Sequence, residues 1–125
     1  MDNPKTESWP ADLDALVAAP EHHTLLFENE AVRILDTRIP AGAKTRAHTH
    51  RWPAALYILS WSQFIRRDAR GEVTLDSRSV PELATAPKAL WSHALAPHSL
   101  ENVGESDLHV ISVELKQFSI ARQDA

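Results

Sequence analysis

The chain of 125 residues contains no cysteine. Disulfide frameworks, thiolate metal sites, thiol nucleophiles and iron–sulfur clusters are therefore excluded. It has only three glycines, too scattered for a phosphate-cradling loop, and no Gly-x-Ser-x-Gly elbow of the kind hydrolases use. The longest fully apolar run, Ala54 to Leu59, is far too short to cross a bilayer. The opening residues, Met1 to Glu7, are polar and lack an apolar signal region, so a cytoplasmic protein is expected. Basic residues form no block, and the net charge is −4. Nucleic acid and anionic membrane are thus not expected as partners.

Against these absences stand seven histidines, four tryptophans and eight prolines. The apolar share of 43% and charged share of 24% are those of one ordinary globular domain with its own core. Pro10 to Ala19 is predicted as the one helix, capped by Ser8, with Leu13, Leu16 and Val17 on a shared face and Pro20 as its stop. After it the pattern is strand. Segments are expected at residues 23–28, 31–39, 44–50, 54–60, 61–68, 72–76, 88–95, 98–103 and 108–115, with Pro97 separating the seventh from the eighth. Pro40-Ala41-Gly42, Ala69-Arg70-Gly71 and Gly104 to Asp107 read as turns. About nine short strands argue for an all-β sandwich or barrel. The expected organisation is an N-terminal segment with a short helix packed on the barrel (1–22), a barrel domain (23–116) and a polar tail (117–125). Arg66, Arg67, Asp68 and Arg70 read as a solvated strand face.

His48 and His50 lie two apart on a predicted strand and so share a face, where two imidazoles can converge on one ion. A polar strand face would give the same pair. Gly42 lies six residues before His48, and His98 lies four before Asn102. Together these residues resemble a small single-domain cupin. The first cupin motif opens with glycine, five residues and His-x-His, as at Gly42, His48 and His50. The second ends in histidine, three residues and asparagine, as at His98 and Asn102. Tyr57-Ile58-Leu59 is similar to the family's next strand, and Leu108 to Leu115 to its closing strand. The resemblance spans about Phe27 to Lys116.

The resemblance implies a double-stranded β-helix, the jelly-roll barrel, with His48, His50 and His98 projecting into its mouth. It implies a divalent cation there: Fe, Mn, Ni or Zn, all of which suit neutral imidazole. A homodimer and a small-molecule ligand or substrate are further implications. The family's glutamate ligand is missing, because the positions three and four past His50 are Ala54 and Ala55. The motif's closing glycine falls on Trp61, and the proline and glycine of the second motif fall on His93 and Leu95. Three neutral ligands leave the ion's charge uncompensated and favour an anionic or chelating substrate. Three-histidine cupins include dioxygenases, so an oxygen-dependent oxidoreductase is the first expectation. A metal-independent binding protein is the second, and a metal-dependent isomerase the third.

Among other residues, Tyr57 is a candidate proton donor, Asn102 a group that orients ligand or stabilises a turn, and Arg46 a partner for a substrate carboxylate. His93 reads as a loop histidine, with ligation as its alternative. His22 and His23 read as solvated or capping residues, and His109 as exposed or packing. Trp52, Trp61 and Trp91 can line a pocket or fill a core.

Overall fold

The computed structural model describes residues 6–118. Two turns of 3₁₀ helix, Thr6–Ser8 and Ala11–Leu13, precede a single short helix, α1 (Ala15–Ala18). Nine strands follow: β1 (His23–Glu28), β2 (Val32–Ile39), β3 (His48–His50), β4 (Ala54–Ser60), β5 (Phe64–Asp68), β6 (Val73–Asp76), β7 (Ala89–Ser92), β8 (Leu95–Asn102) and β9 (Leu108–Leu115). They form two antiparallel sheets, ordered β1-β2-β9-β4-β7 and β3-β8-β5-β6. The all-β expectation is met, and β1, β4 and β9 begin and end where the sequence pattern placed them. The expected tail falls largely on residues 119–125, outside the described residues.

The predicted ten-residue helix is not formed. Asp14 interrupts it with an extended backbone (φ −53°, ψ 143°) and caps α1 itself, accepting a hydrogen bond from Leu16 N at 3.1 Å. Ser8 is not the cap. Asp14 is held in that conformation by Arg33 of β2, whose two terminal nitrogens each donate to one of its oxygens at 3.0 Å. The buried residues of the segment are Ala15 and Ala19, while Val17 of the expected apolar face is exposed. Small residues suit a helix pressed directly onto the mouth of a sandwich.

Pro97 does not break β8, which runs unbroken from Leu95 to Asn102. The ladder to β3 shifts register between His48 and His50, and Pro97 lies opposite that irregularity. A bulge is one of the few places where a strand tolerates a missing N–H. Two turns need a positive φ and have glycine there, Gly42 at 82° and Gly71 at 85°. Ala43 N donates to Pro40 O at 3.0 Å, which puts Gly42 third in a β-turn of the type that requires it.

The packed core is small: Ile39, Phe64 and Leu108 at one end, with Leu35 sealed elsewhere between β1 and β9. Asn102 ties that end together. Its amide donates to Ile39 O and Ser106 O, both at 2.8 Å, and accepts from Ser62 Oγ at 2.6 Å and Gly104 N at 3.0 Å. The rest of the space between the sheets is a cavity.

Candidate metal centre

The inward residues of both sheets line a cavity of about 380 Å³. Most of its wall is apolar, from Leu56, Ile58, Leu90 and Val110 among others, with Trp52, Trp61 and Trp91 in the lining. One part of the wall is different. His23, His48, His50 and His98 gather there, all buried or nearly so.

β3 directs His48 and His50 inward, and the register sets His48 directly opposite His98 on β8. Their rings lie 4.5 Å apart, centroid to centroid. His50 stands 5.0 Å from His48 and 5.7 Å from His98. The three histidines singled out in the sequence are therefore neighbours. The structure adds a fourth. His23, the first residue of β1, lies 4.8 Å from His48 and 5.2 Å from His50. The nearest-fitting set is in fact His23, His48 and His50, each able to offer one nitrogen within 4.8 Å of the others. His98 completes the group from the far side of His48. His23 is 5% exposed, so the reading of it as a solvated or capping histidine is corrected.

Each of the four rings has one nitrogen already committed. Nδ1 of His23 lies 2.9 Å from Ala19 O, that of His48 2.8 Å from Arg46 O, and that of His98 2.7 Å from Ala96 O. Nδ1 of His50 lies 3.0 Å from Glu114 Oε2. Carbonyl and carboxylate oxygens only accept, so Nδ1 carries the proton and Nε2 keeps its lone pair. That is the arrangement in which metal-binding imidazoles are oriented by their outer partners.

The rings are also held neutral. Burial pushes His23 and His50 down to about 3, and neighbouring imidazoles push the same way. Burial likewise holds His98 well below its usual range and lowers His48. A divalent ion needs unprotonated ligands, and these stay so across the neutral range. The donor set thus fits a borderline ion such as Zn(II), Fe(II), Mn(II) or Ni(II).

Ala54, where the family's glutamate would stand, is buried and lines the cavity. Its partner across the β4–β9 ladder is Glu114. Glu114 is 1% exposed, and Arg33 faces it from β2 on the other side. Arg33 Nε donates to Glu114 Oε1 at 2.6 Å. A carboxylate is present at the site after all, one strand over, with alanine leaving it room. It touches an imidazole rather than the position of an ion. Burial pushes the Glu114 carboxyl up, and the Arg33 hydrogen bond and charge oppose this. Burial also works to raise Asp14, but Arg33 outweighs it and holds that carboxyl below its ordinary range. The chain Asp14–Arg33–Glu114–His50 therefore links the N-terminal segment to the histidines.

The candidates for chemistry lie elsewhere. Tyr57 is 59% exposed on the outer face of β4. Arg46 points outward and pairs with Glu21 at 2.9 Å, its side chain 74% exposed. Asn102 has all four of its hydrogen-bonding positions used by the loops it joins, which favours the turn-stabilising alternative. None of the three lines the cavity. His93 is on the cavity wall but exposed, outside the ring cluster. His109 packs against Asp36 on the outside, 3.0 Å from both carboxylate oxygens. Arg66, read as part of a solvated face, is instead in the cavity wall, while Arg67 points out to Glu101.

Comparison with known proteins agrees with this architecture. No protein-family model matches the sequence, and no curated protein matches it. Solved structures do. A cupin domain from Bordetella pertussis Tohama I is 19% identical and superposes with a TM-score of 0.58, covering 75% of this chain and 91% of its own. An RmlC-like cupin family protein with a double-stranded β-helix fold, from Methanocaldococcus jannaschii, is 13% identical with a TM-score of 0.52, covering 82% and 86%. An uncharacterized conserved protein with a double-stranded β-helix domain, from Klebsiella pneumoniae, is 14% identical with a TM-score of 0.52, covering 75% of each chain. The chain has the fold of a small cupin, a double-stranded β-helix.

Proposed function

We propose that this cupin-fold chain binds one divalent metal ion through His23, His48, His50 and His98 and takes a small organic substrate into the cavity beside it. The observation that carries the reading is the shared hydrogen-bonding pattern of the four rings. Four imidazoles from three strands, three buried and His50 half-buried, each spend Nδ1 on an acceptor and leave Nε2 free. The ring nitrogens so left free line the cavity, and those of His23, His48 and His50 can lie within 4.8 Å of one another, which is the spacing a shared ion needs. When bound, the ion would supply Lewis-acid polarisation of a chelating substrate oxygen and, if it is iron, a means of activating dioxygen.

The chain's own residues do the remainder. Glu114 and the carbonyls of Ala19, Arg46 and Ala96 fix the rings. The apolar wall excludes water and selects for an apolar body. The proposed chemistry is an oxygen-dependent oxidation. Anaerobic reconstitution with Fe(II), Mn(II), Ni(II) and Zn(II) in turn, followed by elemental analysis, tests the metal. The reading expects about one ion per chain for at least one of them, and retention of none contradicts it.

Ala54 favours a second reading, a binding protein indifferent to metal, because no carboxylate contributes directly to an ion. Thermal stabilisation by an organic ligand that persists in EDTA, without turnover under oxygen, would support it. An isomerase using the same centre is distinguished from both by turnover without oxygen. The proposal includes a cytoplasmic homodimer. Edge strand β1 leaves Leu25, Leu26 and Phe27 exposed, a surface suited to a second copy, and solution scattering checks it. Among the described residues no helix is long and apolar enough to cross a membrane.

A further inference from the structure

We propose that Arg66 is the anion anchor of the cavity and that the molecule bound there is a monocarboxylate with an apolar body. The inference deepens the reading of this cavity as a substrate site, and it holds whether or not an ion is bound.

Arg66 lies in the middle of β5 and shares its inward face with Phe64, two residues earlier. The register pairs Arg66 with Leu100 and Asp68 with His98. Arg66 and His98 are therefore diagonal neighbours on one sheet face, within reach of a long side chain. On its other side Arg66 pairs with Leu75 of β6. Phe64, Leu75, His98 and Leu100 all line the cavity with it.

Arg66 stands apart from the other arginines among the described residues. Arg33, Arg38, Arg46, Arg67, Arg70 and Arg78 each face a carboxylate. Arg51 lies over the Trp52 ring, 5.1 Å from its centroid. Arg66 has no ion pair, no aromatic face and no acceptor for its guanidinium; its Nε, like that of Arg51, is buried without a partner. Burial alone lowers its basicity, with no nearby anion opposing it. Among the described residues the one carboxylate in the cavity wall, Glu114, has its oxygens taken by Arg33 and His50. A guanidinium does not lose its proton in a protein. A fold that keeps such a charge half-buried and unpaired is destabilised until a ligand supplies acceptors.

The chemistry of that ligand follows. A planar fork of N–H donors matches the two oxygens of a carboxylate. A single guanidinium balances one negative charge, which fits a monocarboxylate better than a phosphate dianion. The surrounding wall of leucines, isoleucine, valine and tryptophans takes an apolar remainder. At about 30 Å³ per small group, the volume of about 380 Å³ admits on the order of a dozen non-hydrogen atoms. The charges agree as well. By formal charge, Arg33 and Arg66 offset Asp14 and Glu114, so a divalent ion would leave the site positive and receptive to an anion.

Isothermal titration of the full chain with acetate, benzoate, phenylacetate and octanoate, and with benzamide and phenylacetamide, tests this. Each titration is run on Zn(II)-loaded and on EDTA-treated protein. At least one apolar acid is expected to bind tenfold or more tightly than acetate and than its amide. Arg66→Gln is expected to weaken that acid at least tenfold and Arg66→Lys less, with zinc content unchanged in both. Because an unpaired charge is removed, ligand-free Arg66→Gln is expected to melt no lower than wild type. If the histidines hold no ion, acid binding and its dependence on Arg66 persist, so the two readings fail separately. No binding of any acid, equal binding of acid and amide, or unchanged acid binding by Arg66→Gln overturns the proposal.

Discussion

Glu114→Gln is the perturbation that separates a tuned metal centre from a chance gathering of rings. The substitution keeps shape and removes the charge that His50 Nδ1 faces at 3.0 Å. It also turns an amide toward Arg33 Nε, which now donates at 2.6 Å. Outer partners of this kind are worth roughly 10–100-fold in metal affinity, or about 1.4–2.7 kcal/mol. The ion pair itself is buried, Glu114 at 1% and Arg33 at 5% exposure. Breaking such a pair costs about 3–5 kcal/mol of stability when the remaining charge is stranded. Arg33 keeps both oxygens of Asp14, so the loss should fall at or below the lower end. Zinc affinity is measured by competition with a chromophoric chelator, and stability by urea denaturation of the metal-free protein. Asp14→Asn is the control: it touches Arg33 but not His50, so it should lower stability while changing zinc affinity far less. Equal zinc affinity in Glu114→Gln and wild type would refute the argument that this carboxylate acts on the site through His50.

Acid should unfold the metal-free protein early. His23 and His50 titrate at about 3 in the fold against about 6.5 in an open chain, so the unfolded state holds more protons between those values. Their contribution is complete above about pH 6.5 and is lost toward pH 3, at roughly 1.4 kcal/mol per pH unit for each ring. Urea midpoints from pH 7.5 to 4.5 check this, and a flat profile contradicts it. Leu35→Ala should cost about 2–5 kcal/mol, since Leu35 is fully buried; the same denaturation assay reads it. Gly104→Ala should lower the melting temperature, because the added carbon would lie 2.1 Å from Ser62 Oγ and 2.8 Å from Gln63 N. An unchanged melting temperature would mean that the junction around Asn102 yields easily.

The strands were legible because they alternate or run apolar between turn residues, and β1, β4 and β9 needed nothing more. The helix was not, because the force that breaks it is a contact from Asp14 to Arg33, 19 residues later and on another sheet strand. Pro97 misled because its missing N–H is absorbed by a bulge that belongs to the pairing with β3. His48, His50 and His98 could be picked out by motif and parity. His23 could not: it opens a strand whose other five residues are exposed, and only the meeting of its ring with His48 and His50, from the other sheet, shows that it faces inward. The one available signal was a histidine heading a strand just after a proline stop. Arg66 was hidden in a run of charges, although adjacent residues of a strand face opposite ways and its parity with Phe64 already pointed in. Glu114 is 64 residues from His50, and no local pattern connects them.

The central claim is that four imidazoles share one ion. A crystal of the zinc-loaded protein, with anomalous data collected on either side of the zinc edge, tests it most directly. The account predicts a single strong peak bound by Nε2 of His23, His48, His50 and His98, with Glu114 on His50 Nδ1 and not on the metal. A peak that leaves out His23, one bound through Nδ1, or no peak between the rings would contradict it.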